Sequence, residues 1–468
     1  MGVFTSAAKG MMTMCRTAFL LGMAMVLLGS IGTARAKSLP ELMADVVARD
    51  PRIVQARMAL EMEQYNVRSS YGEWLPAVDL SGYYGHEEII NEKTTNTYFD
   101  ARKFQAKLTQ TLFDLSKMVG VKSAKTTREV SGIALETVRQ TLMLESITAY
   151  FNLARAKRQL YYARVSENNL YKQAGSEKSR KQKGSGVATD VLQINQQLYG
   201  ARATRVQAER TFQAASNNYK RVFKQDYNGT DALVLPMAPY AELSDNVETF
   251  VAEVVKDNLN LKQSRLAVKL AELADKNSRS EFLPNVDLVL QSQFKEDDGG
   301  TEHGKDEHII KVDFTYNIFN GGKDYYATKN RIIAVQMARE ALKDTARIVE
   351  ESATNYWENF MTSKKRAEYL RNQAKTAEEF LEKAKTERKL GKRSLIDVLN
   401  GEINYINSIS MAIAADTDMA LAVYNMFFLM GQLNSDLITA YMPASAQGPE
   451  EMMDKPIQPQ LSEMEMDQ

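Results

Sequence analysis

The chain is written twice. Glu73-Trp74-Leu75-Pro76-Ala77-Val78-Asp79-Leu80 returns as Glu281-Phe282-Leu283-Pro284-Asn285-Val286-Asp287-Leu288. Gln55-Ala56-Arg57-Met58-Ala59 returns as Gln263-Ser264-Arg265-Leu266-Ala267, and Leu112-Phe113-Asp114 as Ile318-Phe319-Asn320. Asp190-Val191-Leu192 returns as Asp397-Val398-Leu399, with Gly184 and Gly391 six residues ahead of the two copies. The offset stays between 206 and 208 residues. A unit of that length is no solenoid repeat, whose period is about 20 to 50 residues. It describes two similar halves of one symmetric body, residues 37–235 and 236–442.

The ends lie outside that body. Lys9 and Arg16 give a basic start, Thr17 to Ile31 is apolar, and Ala34-Arg35-Ala36 is a small-x-small cleavage signal. Residues 1–36 therefore read as a secretory signal peptide. The tail 443–468, rich in Pro, Gln, Met and acids, reads as disordered. The 59 bases and 59 acids balance, and removing the signal's three bases leaves a net charge of −3. A near-neutral chain does not suit nucleic acid, which selects a basic face. The single cysteine, Cys15, precedes the apolar run, so the exported part has no disulfide and no cysteine at the cleavage point to carry a lipid. Beyond the signal no apolar run approaches the roughly 20 residues of a membrane helix. A membrane crossing would then need a β-barrel.

Stretches 77–235 and 285–442 contain no proline, and Lys323 to Leu390 contains neither proline nor glycine. The absence of both strong helix breakers predicts one very long helix there. Its apolar positions alternate in steps of three and four: Leu342, Ala346, Val349, Ala353, Tyr356, Phe360, Ser363, Ala367, Leu370, Ala374, Ala377, Leu381, Ala384. Only Ser363 is polar. This seven-residue repeat predicts coiled-coil packing, and the many alanines predict close helix approach. Ser116 to Lys181 is the counterpart in the first half. Each long helix ends in a glycine turn, Lys183-Gly184-Ser185-Gly186 or Leu390-Gly391-Lys392-Arg393, and a second helix of 35–40 residues follows.

Ahead of each long helix lie two segments with period-two alternation. Val78, Leu80, Gly82 and Tyr84 oppose Asp79, Ser81 and Tyr83, and Phe104, Ala106 and Leu108 oppose Lys103, Gln105 and Lys107. Val286, Leu288 and Leu290 alternate with Asp287, Val289 and Gln291, and Ile310 to Ile318 repeats the pattern. A barrel strand between lipid and a wet lumen shows this alternation, and so does a half-buried soluble sheet. The polar segments 85–102 and 295–308 read as connecting loops. Four strands leave edges that lipid does not tolerate, and closed membrane barrels need about eight or more. The membrane reading therefore requires several chains.

No zinc-protease motif, Walker loop, dinucleotide fingerprint or nucleophile elbow is present, so the chain does not read as an enzyme and no cofactor is expected. His303 and His308 share a loop with Glu302, Asp306 and Glu307, a set that suits solvated loop residues better than a metal. Thr189, Asp190, Arg388, Arg393 and Asp397 cluster near the two turns. They suit plain helix starts and ends as well as a functional site.

The Leu-Pro entry to the first strand of each half, the order strand–strand–long helix–turn–helix and the Gly-x5-Asp-Val-Leu turn together resemble the TolC family of outer-membrane efflux proteins. The resemblance spans about 40 to 440. It implies a trimer whose twelve strands, four per chain, close one outer-membrane β-barrel continued through the periplasm by a coiled-coil α-helical barrel. It implies a passive exit duct of a tripartite export system. The hairpin tips, Gly184, Ser185, Gly186, Gly391 and Lys392, would meet a periplasmic adaptor (membrane fusion) protein and an inner-membrane ABC transporter or drug pump. By position Arg393 takes the family's basic gate place, Thr189-Asp190 its polar and acidic partners, and Asp397 one of two lumen acids. Asn400 replaces the second ring acid and Arg388 a gate tyrosine, so this gate holds fewer acids and one more base. The missing lipid-bearing cysteine favours the type I protein secretion branch over drug efflux. An alternative of another class is a non-conducting envelope coiled-coil scaffold, which leaves the paired strands unexplained.

Overall fold

The computed structural model describes residues 38–441 apart from 91–96, 229–232, 234 and 301–302. The expected signal peptide and acidic tail lie outside the described residues. Both halves build the same sequence of elements. The first half runs α1 (Leu39–Arg49), α2 (Pro51–Gly72), β1 (Ala77–Ile89), β2 (Thr97–Phe113), α3 (Leu115–Gln182) and α4 (Ala188–Phe223). The second half runs α5 (Val247–Asp257), α6 (Leu259–Ser278), β3 (Asn285–Glu296), β4 (Gly304–Thr315), α7 (Lys323–Lys389) and α8 (Leu395–Met430), and a short α9 (Ser435–Ala440) follows. The duplication reaches the caps. Asp50 accepts the Arg52 N–H at the start of α2, and its copy Asn258 accepts the Leu261 N–H at the start of α6.

The long helices span 68 and 67 residues. At 1.5 Å per residue each runs roughly 100 Å. Every position of the α7 heptad named above is buried or half-buried, and Ala353, Ala367 and Ala384 are buried to 1% exposure or less. That seam packs on α8, as α3 packs on α4. Both tips close in the same hydrogen-bonded pattern. Ser185 N–H donates to Arg180 O and Gly184 N–H to Lys181 O, while Lys392 N–H donates to Glu387 O and Gly391 N–H to Arg388 O. This closure puts the residue after the C-cap in the left-handed region, which glycine occupies without strain. Gly184 and Gly391 sit there at φ 76° and 73°.

The four strands form one antiparallel sheet in the order β1-β2-β3-β4. The β2–β3 ladder therefore joins the two halves. Strand ends differ from expectation in two ways. Most of the polar segment 85–102 and half of 295–308 are strand, since β1 runs to Ile89, β2 starts at Thr97, β3 reaches Glu296 and β4 starts at Gly304. Backbone pairing does not need apolar side chains, and polar cross-strand partners continue the ladder: Tyr98 OH donates to Glu88 at 2.9 Å and Arg102 lies 3.5 Å from Glu296. At the other end β4 stops at Thr315, short of Ile318, because its register partner is Asn285. Pro284, just before Asn285, has no N–H to donate.

The main core lies midway along the bundle. Leu42 and Met43 of α1 and Phe250 and Val254 of α5 join Phe151 of α3 and Tyr424 of α8 in one buried cluster. Helix α8 holds an 18-residue stretch long and apolar enough to cross a membrane, contrary to the reading that no such run follows the signal. Half of that stretch is buried inside the bundle, with Val423, Met426 and Phe427 in the core. Its hydropathy is that of a central core helix.

Candidate functional site

The register makes the sheet two-faced across all four strands. One face carries Val78 and Leu80 of β1, Phe104, Ala106 and Leu108 of β2, Leu288, Leu290 and Phe294 of β3, and Ile310, Val312 and Phe314 of β4. Leu80, Ile310 and Phe314 are exposed at 82%, 78% and 64%. The other face carries Asp79, Lys103, Gln105, Lys107, Thr109, Asp287, Gln291, Gln293, Lys311 and Asp313. An isolated soluble sheet would bury the apolar face and expose the polar one. This chain leaves the apolar face bare, as an outer barrel wall in lipid requires. From Val286 to Phe294 the apolar band runs about 26 Å along the strand, against a lipid-facing band about 25 Å tall. Tyr71, Phe282, Tyr316, Phe319, Tyr325 and Tyr326 stand exposed where strands give way to helices. Such aromatics gather at a membrane–water boundary. The sequence carries that signal in Tyr316, Phe319 and the Tyr325-Tyr326 pair, which the strand and helix periodicities do not expose.

His86 lies beyond the apolar band and His303 lies outside the strands, whereas His308 stands opposite Ser292 within the band's span, next but one to Ile310. His86 pairs with Asp100 at 3.1 Å and His308 with Ser292 at 3.0 Å, while His303 holds a left-handed backbone at φ 80°. Among the described residues no group of three or more His, Cys, Asp or Glu could hold a metal ion.

At the opposite end the tips gather the charged residues. Thr189 and Asp190 lie in the first turn of α4, Thr189 exposed and Asp190 half-buried. Asp397 has the matching place in α8, where Ser394 caps the helix by accepting the Asp397 N–H at 3.3 Å and donating to its carboxylate at 2.7 Å. Asn400 is exposed one turn on. Within one protomer Arg393 meets neither Thr189 nor Asp190. Its Nε donates to Glu387 at 2.6 Å and its guanidinium lies 5.3 Å from the Phe380 ring. Arg388 donates to Glu177 of α3 at 3.3 Å and to the Arg393 carbonyl at 3.4 Å. Gly184, Ser185, Gly391 and Lys392 are exposed at the tips, and Gly186 is partly covered.

A line of polar contacts ties α3 to the second hairpin and went unseen in the sequence. Descending toward the tips, Arg155 pairs with Asp418 at 3.2 Å, Gln159 donates to Ser410 O at 3.4 Å, Asn169 donates to Glu402 at 2.8 Å, and Glu177 meets Arg388. Glu402 is 1% exposed, and among the described residues only Lys385, 3.9 Å away, approaches its second oxygen as a countercharge. Beside this line Asp416 accepts from Arg371 at 2.6 Å. Burial raises its carboxyl above the usual range, and Arg371 and Arg158 oppose that rise. One sequence signal existed: Glu177 is the only acid between Glu167 and Asp190, in a stretch of five Lys and Arg.

A family model described as "Outer membrane efflux protein" matches residues 42–222 and again 251–432, once per half. The chain is 24% identical over 410 residues to "Outer membrane protein TolC" of Escherichia coli (strain K12), covering 84% of this chain and 78% of that protein. It is 20% identical over 347 residues to "Alkaline protease secretion protein AprF" of Pseudomonas aeruginosa, covering 72% and 71%. Its fold is similar to the crystal structure of the outer membrane protein VceC from Vibrio cholerae, with a TM-score of 0.71 and 14% identity over 84% of this chain and 96% of that one.

Proposed function

This chain belongs to the outer membrane efflux protein family, and from that premise we propose that it is the exit duct through which an inner-membrane ABC transporter exports protein in type I secretion. A member of this family is an outer-membrane efflux channel of a tripartite system, reaching into the periplasm, and is not an enzyme. The bare apolar sheet face in register across four strands carries the duct reading. Three copies supply the twelve strands that close it. Two observations support the secretion branch. The only cysteine, Cys15, precedes the apolar leader run, and one relative is named for alkaline protease secretion. Purified protein should run as a heat-sensitive trimer and give discrete conductance steps in planar bilayers. Deletion of the gene should strip a protein from the culture medium and leave drug susceptibility unchanged. The reverse pattern would assign the duct to a drug pump, and a monodisperse, non-conducting monomer would leave only an envelope scaffold.

The periplasmic end is proposed as the gate, with the tip turns Gly184, Ser185, Gly186, Gly391 and Lys392 docking the adaptor. Arg393 is free to meet Thr189 and Asp190 only across the protomer boundary, since its own protomer offers it Glu387. One exposed ion pair is worth about 0–1 kcal/mol. Three that must part together bias opening by up to about 3 kcal/mol on the same scale. Arg393→Ser and Asp190→Ala should each raise single-channel conductance. Wild-type values in both would move the gate to other residues.

Asp397 is proposed as the lumen ring. Three carboxylates around one axis raise the local cation concentration. With Asn400 in place of a second acid, the ring holds three formal charges. Asp397→Ala should shift the reversal potential in a salt gradient away from cation preference and weaken block by a divalent cation. If both stay put, Asp397 serves only the Ser394 cap.

A further inference from the structure

We propose that Glu177 is the latch that holds the two hairpins of one protomer together at the periplasmic end. The proposal rests on the reading of that end as a gate. It goes beyond it by adding, inside each protomer, a link through a carboxylate other than Asp190.

Of the polar contacts named above between α3 and the second hairpin, Glu177–Arg388 is the last before the tips. Glu177 lies five residues before the end of α3, about 8 Å along the axis. Arg388 is one residue from the end of α7. The pair therefore joins the ends of the two helices that a gate must separate.

The environment of the pair separates it from the other tip contacts. The side chains of Glu177 and Arg388 are 8% and 25% exposed, against 45% and 30% for Glu387 and Arg393. Exposed pairs are weakened by water and salt, whereas removing one partner of a shielded pair strands the other charge. Glu177 also receives Arg180 of its own helix at 3.3 Å. One carboxylate oxygen thus holds two guanidiniums, one from each hairpin. Without it, Arg180 and Arg388 would face each other as like charges. Arg388 further holds the second tip turn by donating to the Arg393 carbonyl. Loss of Glu177 would therefore also loosen the loop that presents Arg393. The apolar cluster of Leu170, Ile194, Leu395 and Leu399 and the Asn169–Glu402 contact remain above the latch. Release then splays only the last turns and leaves the tube intact.

The test compares single-channel recordings of trimeric wild-type protein with Glu177→Gln, Arg180→Gln and the exchange Glu177→Arg with Arg388→Glu. Glu177→Gln should raise time-averaged conductance about tenfold, because three shielded guanidiniums lose their counter-charge together. Arg180→Gln should change it much less, since Arg180 is half exposed and pairs within its own helix. The exchange should return conductance toward wild type, which a mere packing role for Glu177 would not allow. Unchanged conductance in a heat-sensitive Glu177→Gln trimer overturns the latch. So does a raised conductance that the exchange fails to lower. A wild-type trimer that never conducts overturns the duct reading instead. Unchanged Glu177→Gln beside leaky Asp190→Ala keeps the gate and removes only the latch.

Discussion

Ile310→Arg is expected to abolish assembly of the protein in the outer membrane. Ile310 lies in the middle of the apolar band, pairs with Leu290 in the ladder and is 78% exposed. A charged residue at the lipid face of a barrel costs about 2–4 kcal/mol at the bilayer midplane. Three copies in a trimer raise that to about 6–12 kcal/mol on the same scale, comparable with the whole stability of a typical domain, about 5–15 kcal/mol. The next residue, Lys311, points to the other face and pairs with Asp313 at 2.9 Å. Lys311→Gln therefore loses only a half-exposed ion pair, about 0–1 kcal/mol. Outer-membrane fractions should contain heat-sensitive trimer for Lys311→Gln and none for Ile310→Arg. Normal trimer from Ile310→Arg would mean that this face meets water or protein instead of lipid.

The second large effect is expected far from the membrane. Tyr424 is fully buried in the central core, edge-on to Phe151 at 5.8 Å between ring centres. Around it α1 and α5 clamp α3 and α8. Truncating a large buried aromatic to alanine costs about 3–5 kcal/mol through lost transfer energy and the cavity left behind. Tyr424→Ala should thus lower the melting temperature of the helical bundle by many degrees and make the trimer dissociate in detergent at lower temperature. The hydroxyl contributes little, because its contact with Met237 O is long at 3.4 Å. Tyr424→Phe should therefore melt close to wild type, losing about 1 kcal/mol at most. Equal melting of Tyr424→Ala and wild type would show that the bundle is held chiefly at its hairpin seams.

The long helices were legible because their signals are local and repeated. An unbroken stretch without Gly or Pro, a seven-residue rhythm of alanines and a glycine at each turn predict α7 and its tip without knowledge of any other element. The alternation at Val286 to Leu290 predicts a two-faced strand in the same way. The ends of the strands were not legible. Ile318 continues the rhythm of β4 but has no partner, because Pro284 ends the neighbouring ladder. The polar residues of 85–102 looked like a loop but do have partners, so most of them are strand. The hydropathy of α8 was equally ambiguous, since a core helix and a membrane helix share it.

The sequence by itself determined the duplication, the hairpins, the heptad seam, the two-faced strands and the family. Each of these is a periodic or collinear property, readable within one stretch or by laying one stretch on another. Only the tertiary structure decided that β2 pairs with β3 to fuse the halves into one sheet. It also decided that Arg393 meets Glu387 while Arg388 reaches Glu177, and that a polar line from Arg155 to Glu177 binds α3 to the second hairpin. These contacts join residues more than 170 positions apart, or choose among several neighbouring charges. A lysine- and arginine-rich helix end reads the same whether its charges face water or one buried carboxylate, and only the packing of α3 against the second hairpin makes that choice.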